Sequence, residues 1–206
     1  MARYTGKKNR IARKFGANIF GRARNPLLHK PNPPGVHGAR HRKKSDYGLQ
    51  LHEKQKLKAI YGMLSEKQLV NYFKKAHSQP GVTAQLLVER LECRLDTVVY
   101  KLKFASTIFG AQQLISHGHV EVNGKKVDIR SYQVKPGQKV SIREKSKNMK
   151  PVTDAIHNSN RELPEYLTLD ADNLSGQLLA IPQIDQMQWP IEVNVPEVCD
   201  FLAHTT

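Results

Sequence analysis

The sequence predicts an α+β protein: a mainly helical domain formed by the two chain ends, into which a small module of helices packed on a short, twisted β-sheet is inserted. Three observations carry that expectation. Residues 93–147 hold two short helical patterns followed by alternating strands and an Asn-Gly turn. Residues 45–92 repeat apolar positions with the helical period. The last quarter carries the sole Trp, which prefers burial and so must dock on another part of the chain. The expected division is 1–92 completed by 152–206, with 93–151 inserted.

Taken in order, residues 1–46 are basic, rich in Gly and Pro, and poor in apolar side chains. Ile11, Phe15, Ile19 and Phe20 support at most one short helix, and by composition the segment cannot build its own core. From Ser45 the pattern turns helical. Leu49, Leu51, Leu57, Ile60, Tyr61 and Leu64 fall roughly on one face, with Lys54, Lys56 and Lys58 on the other. Ser65 caps a second helix that Gln79-Pro80-Gly81 ends, and Thr83 opens a third. In the inserted module Leu95, Val98, Val99 and Leu102 lie at i, i+3, i+4 and i+7. Thr107 caps a helix through Ile108, Ala111 and Ile115, which ends at Gly118. Val120-Glu121-Val122 alternates as a strand, and Asn123-Gly124 suits a type I′ hairpin. A second strand, residues 140–143, follows the Pro136-Gly137 turn. Beyond it come a helical patch at Ala155 and Ile156, an extended edge at residues 164–169, and a terminal helix through Val198, Phe201 and Leu202. The Trp189 segment is expected to dock on the helices before residue 92.

The formal charge is +15, and it is unevenly placed. Residues 1–50 hold 13 Lys and Arg against one acid, whereas residues 151–206 hold one against nine. Such segregation points to a polyanionic partner, nucleic acid before membrane. No apolar run approaches the roughly 18 residues that span a bilayer, and the N-terminus lacks a signal-peptide core, so neither secretion nor cleavage is expected. Cys93 and Cys199 are far apart and outside any CxxC pair, which favours a reducing compartment and argues against structural zinc.

Several ordered motifs together identify a family. The opening M-A-R-Y-T-G-K-K, P-G-V-H-G-A-R at 34–40 and S-D-Y-G-L-Q-L-H-E-K-Q-K-L at 45–57 are joined by R-L-D-T-V-V-Y at 94–100. Q-L-I-S-H-G-H-V at 113–120, V-N-G-K at 122–125, S-Y-Q-V-K-P-G at 131–137 and S-I-R-E-K-S at 141–146 complete the set. Over essentially its full length the chain resembles the fourth-protein family of the small ribosomal subunit, in its bacterial or organellar, zinc-free form. The resemblance implies a structural, non-enzymatic ribosomal constituent. Such a protein binds a multi-helix junction of small-subunit ribosomal RNA, nucleates assembly of the subunit body and contributes to translational accuracy beside the fifth small-subunit protein. It implies a cytoplasmic ribosomal location, with the organellar ribosome left open, and no membrane or small-molecule partner. Two departures stand out. Where zinc-binding relatives carry four cysteines this chain has Asn9, Arg10, Ile11 and no Cys, so no metal or other cofactor is expected. Ile108 and Gln112 stand where the family usually has basic residues, which would strip two charges from an expected RNA face.

Phosphate contact is the expected chemistry, with Arg as a bidentate fork and Lys as a point charge. Candidates in the arm are Arg3, Lys7, Lys8, Arg10, Arg13, Lys14, Arg40, Arg42, Lys43 and Lys44. Tyr4, Phe15, Phe20, His37 and His41 are rings available to stack on unpaired bases. Candidates in the module are Arg94, Lys101, Lys103, Gln113, His117, His119, Asn123, Lys125 and Lys126. Arg94-Leu95-Asp96 is similar to the catalytic-aspartate motif of pseudouridine synthases, some of which carry this module. Here Asp96 opens a helix with an inward face, where interaction with the helix dipole or pairing with Arg94 explains it better. An RNA-modifying enzyme would need a second domain with a cleft, and a factor for stalled ribosomes would lack the helical domain. Loss of charge at 108 and 112 shifts the expected weight of binding to the arm. Deleting residues 1–44 should then cost at least as much affinity as neutralising Lys125 and Lys126.

Overall fold

A computed structural model describes residues 4–22, 24–40, 43–157 and 161–205. The chain divides into two compact units, Met1–Leu87 with Trp189–Thr206, and Val88–Gln188.

In the first unit, helix α1 spans Lys8–Phe15 and stops at Gly16, whose left-handed φ of 67° suits a residue without a Cβ. Arg13 then organises the Pro-rich loop. Its Nε donates to the carbonyls of Lys30 and Asn32 at 3.0 and 2.9 Å, and a terminal nitrogen donates to that of Pro33 at 3.3 Å. Ala12, Ile19 and Phe20 are buried. The arm, expected to lack any core of its own, therefore contributes apolar anchors to this unit.

Helices α2 (Asp46–Ile60) and α3 (Glu66–His77) start at Ser45 and Ser65, which accept from the backbone N–H of Gly48 and Gln68; Ser65 and Gln68 complete a capping box. The chain's other end packs here as helix α8 (Val195–Thr205), against both α2 and α3. Glu53 accepts from the Asn194 N–H at 3.1 Å, Lys56 donates to the Glu192 carbonyl at 3.2 Å, and the Trp189 indole donates to the Tyr61 hydroxyl at 3.3 Å. The helical face expected of α2 needs correction. Leu49 is exposed, whereas Lys54 and Lys58 are buried. Glu66 makes their burial possible by accepting from both ammonium groups at 2.7 Å, and the Lys54 nitrogen lies 4.4 Å from the centre of the Phe201 ring. Burial alone would raise the Glu66 carboxyl, but the hydrogen bonds from Lys54 and Lys58 outweigh it and hold the group below its ordinary range.

The second unit begins within helix α4 (Thr83–Glu92) and continues through α5 (Leu95–Lys101), α6 (Ile108–Ser116) and α7 (Lys150–His157). Its antiparallel sheet holds β1 (Val120–Val122), β2 (Lys125–Lys126), β3 (Lys139–Ile142), β4 (Leu167–Asp170) and β5 (Ser175–Leu178) in the order β2-β1-β3-β5-β4. Asn123 and Gly124 both have positive φ, 49° and 75°, as the hairpin between β1 and β2 requires. Val98, Leu102, Ile115, Val120, Val140, Ile142 and Leu178 share the core between helices and sheet.

The sheet draws in residues that the expected division had grouped with the chain ends. Strand β5 pairs with β3, so residues 167–178 extend the module's own sheet. The reason is close packing: a Cβ on Gly176 would lie 2.4 Å from Leu102 Cδ2 and 2.6 Å from the Thr168 carbonyl oxygen, so only glycine lets β5 approach α5 this closely. Arg161, the sole Lys or Arg after residue 150, fixes the connection. It donates to the Tyr100 and Ala105 carbonyls at 2.9 and 2.7 Å and stacks 4.0 Å above the Tyr100 ring. Consequently the second unit holds 14 Lys and Arg against 12 Asp and Glu, close to neutral, while the first holds 19 against six. Most of the +15 belongs to the first unit.

Candidate nucleic-acid interface

Among the described residues of the arm, Lys7, Arg10, Lys14, Arg40, Lys43 and Lys44 are exposed and Lys8 is half-buried. No carboxylate occurs before Asp46 in the sequence. Arg13 is different, since its guanidinium is committed to three backbone carbonyls of the 30–33 loop. Arg3, His41 and Arg42 lie outside the described residues. Of the rings expected to stack on bases, Phe20 is buried and Phe15 packs edge-on against His52 with centroids 5.0 Å apart. Both are structural. His37 is exposed and Tyr4 half-buried.

In the second unit the candidates separate into a buried set and a surface set. Arg94 and Asp96 are fully buried and form a bidentate pair, with Nε to Oδ1 at 2.9 Å and Nη2 to Oδ2 at 2.6 Å. The Thr97 N–H and the Gln112 amide also donate to the carboxylate, at 3.1 and 3.2 Å. Backbone bonds from Leu95 to Tyr132, Asp96 to Arg130 and Val134 to Cys93 lay the 130–134 segment along the start of α5. The pair thus welds three segments together, with Arg94 turned away from any surface. Lys101 is likewise engaged. Its nitrogen lies 2.6 Å from both a Glu92 carboxylate oxygen and the Tyr166 hydroxyl. Burial and then the Glu92 charge push the Tyr166 phenol upward, which keeps it a neutral donor to Glu92.

The two departures at 108 and 112 are corrected by the same geometry. Ile108 is 2% exposed and Gln112 is 9% exposed. Neither side chain belongs to an outer face, so their lack of charge does not weaken one; Gln112 instead completes the Asp96 network.

The surface set comprises Gln113, His117, Asn123, Lys125 and Lys126, all exposed, with Lys103 and His119 half-buried. The fold brings most of these together. Gly118, in a left-handed turn, sits beneath the Lys126 side chain: a Cβ there would meet Lys126 Cε at 2.3 Å. This places the hairpin lysine over the turn between His117 and His119. Asn123 serves the hairpin as well, its side-chain oxygen accepting from the Lys139 N–H at 2.8 Å. His119 Nδ1 lies 2.9 Å from the Ser146 hydroxyl, and burial, His117 and Arg143 together hold its imidazole below the ordinary histidine range. Gln113, His117 and His119 line one cleft together with Leu114, Met149 and Pro151. Lys135, Lys139, Lys145 and Lys150 of the same unit are also exposed and were not among the candidates, although Lys135 and Lys145 stand inside two of the family motifs.

Among the described residues there is no group of three or more His, Cys, Asp or Glu side chains that could hold a metal, and no helix long and apolar enough to cross a membrane. The Cys93 and Cys199 thiols are both pushed up to about 11, chiefly by burial, and are poor nucleophiles at neutral pH.

Residues 3–92 match the family model described as the ribosomal protein S4/S9 N-terminal domain, and residues 93–140 match the S4 domain. Across the whole of both chains, the sequence is 68% identical to the small ribosomal subunit protein uS4 of Protochlamydia amoebophila (strain UWE25). It is 59% identical to that of Chlamydia trachomatis serovar L2 and 57% identical to that of Chlamydia felis, again over full length. With both domain models in sequence and full-length identity at this level, the chain belongs to the uS4 family of small ribosomal subunit proteins.

Proposed function

We propose that this chain is a structural constituent of the small ribosomal subunit, acting without catalysis as a primary binder of small-subunit ribosomal RNA. In this reading it holds a multi-helix junction, nucleates assembly of the subunit body, and adjoins the fifth small-subunit protein at an interface that bears on decoding accuracy. Its place is the ribosome of a bacterial cytoplasm, in keeping with the bacterial relatives. The observation that carries the reading is the arm: nine exposed Lys and Arg side chains among its described residues, in a segment with no carboxylate of its own. A polyanion supplies what the segment lacks. Phosphate contacts are assigned to Lys7, Lys8, Arg10, Lys14, Arg40, Lys43 and Lys44 from the first unit, with Arg3 and Arg42 carried over from the sequence. Lys103, Gln113, His117, His119, Asn123, Lys125 and Lys126 provide a second patch. Folded RNA is read largely through shape and backbone, which suits two bodies bearing separate basic surfaces.

Neutralising about 6–10 phosphates releases their counterions, so affinity for small-subunit ribosomal RNA should fall about 10³–10⁵-fold between 50 and 200 mM salt. Filter binding or fluorescence anisotropy across that range checks this. An affinity indifferent to salt would remove phosphate contact as the mechanism.

A further inference from the structure

We propose that the cleft between α6 and the start of α7 receives a single unpaired RNA base, so that this surface reads more than backbone. The inference rests on the RNA-binding reading above and deepens it. The cleft holds about 130 Å³ and is lined by Gln113, Leu114, His117, His119, Met149 and Pro151. That volume is well below the roughly 300 Å³ at which sites for drug-sized ligands begin. It suits one planar ring system.

The lining has the character such an occupant needs. Leu114, Met149 and Pro151 are apolar walls against which a base face can pack, and Met supplies a polarisable sulfur. The exposed Gln113 carries an amide that both donates and accepts, able to meet the mixed pattern of a base edge. His119 is fixed by its 2.9 Å contact with Ser146, and burial, His117 and Arg143 hold its ring below the ordinary histidine range, which favours the uncharged form as a flat packing face. His117 lies beside it, with ring centroids 6.0 Å apart. An isolated phosphate would find apolar walls here and little to neutralise it.

Charge complementarity identifies the polymer to which the base belongs. Lys126 lies over Gly118, between the two histidines, and exposed Lys150 separates Met149 from Pro151 in the chain. Cations at the rim hold the flanking phosphates while the less polar interior takes the ring. Unpaired bases splayed from folded RNA are bound in this manner, stacked on rings and hydrogen-bonded at their edges.

The test uses the full chain and full-length small-subunit ribosomal RNA, with affinity measured against salt and base-edge reactivity probed by dimethyl sulfate. Gly110 also lines the cleft, and a Cβ there would make only ordinary contacts, 3.4 Å from Ala105 Cβ and Thr107 Oγ1. Gly110→Leu plugs the space, and Gln113→Ala removes the edge contact from an exposed position where folding is insensitive. Thermal melting checks both variants. Gly110→Leu should weaken binding about tenfold or more, in line with the loss of one stacked base, and Gln113→Ala about threefold to tenfold, in line with one hydrogen bond, with the salt slope unchanged in both. An adenine or cytosine protected by the unaltered chain should become reactive in both. Lys126→Gln, by contrast, should lower the slope by about one. Unchanged affinity in both cleft variants would overturn the base site alone. So would a reduced slope with no base gaining reactivity, because the surface would then touch backbone only. Failure of the unaltered chain to bind the RNA would overturn the RNA reading itself and the cleft with it.

Discussion

Asp96→Ala should destabilise the second unit by about 3–5 kcal/mol, the cost of leaving a buried charge without its partner. The carboxylate accepts both arms of the Arg94 fork, the Thr97 N–H and the Gln112 amide, and neither Arg94 nor Asp96 is more than 2% exposed. Removing it strands a buried guanidinium and breaks four hydrogen bonds at once. Asp96→Asn keeps the shape and one of the two acceptor oxygens, but it loses the charge and sets an NH2 against two donors, so it should recover only a small part of the loss. The double change Arg94→Met with Asp96→Leu should recover much of the loss, since well-packed apolar groups avoid the desolvation cost altogether. Urea unfolding followed by circular dichroism reads the effect. Trp fluorescence is the wrong probe, because Trp189 belongs to the other unit. Equal losses for the single and double changes would show that packing, not the charge, sets the cost.

The largest effect on binding should come from the arm. Neutralising Lys7, Arg10, Lys14, Arg40, Lys43 and Lys44 together to Gln should lower the steepness of log affinity against log salt by about five. Neutralising Lys125 and Lys126 should lower it by about two, if each side chain releases about one counterion. Substitution is a cleaner test than deleting residues 1–44. A deletion would also remove Ala12, Ile19 and Phe20 from the core of the first unit, and the Arg13 bonds that order the 30–33 loop. The expected ranking follows from the charge of the two units, 19 bases against six acids in one and 14 against 12 in the other. A larger drop from the hairpin pair would put the main electrostatic contact in the second unit.

Local chemistry was legible in the sequence wherever one residue settles one backbone feature. Ser65 and Thr107 are caps, Asn123-Gly124 is the tight hairpin, and the Trp189 segment docks against Tyr61. Packing between distant segments was not legible. Strand β5 reads Ser-Gly-Gln-Leu, without alternation, and exists because Gly176 slips under Leu102 and beside Thr168. Lys54 and Lys58 have the composition of a solvent face, yet Glu66 and Phe201 take them inside. The motif Arg94-Leu95-Asp96 suggested both an RNA contact and an internal pair, and only burial distinguishes the two. The same holds at Ile108 and Gln112, where charge bookkeeping placed on a surface two side chains that the fold buries. The boundary differs as well. Residues 152–188 resemble the C-terminal segment in charge, but their strands complete the module's sheet.

The central claim is that this chain is a resident ribosomal protein held to small-subunit RNA through two basic surfaces. Its most direct test is sedimentation of small subunits carrying the chain through a high-salt wash. The account predicts that the chain stays with the particle, because release from an assembled subunit needs the contacts of both units to be lost together, which is slow even where salt weakens each of them. Quantitative release into the supernatant, with the remaining subunit proteins left in place, would contradict it and mark the chain as a transient factor.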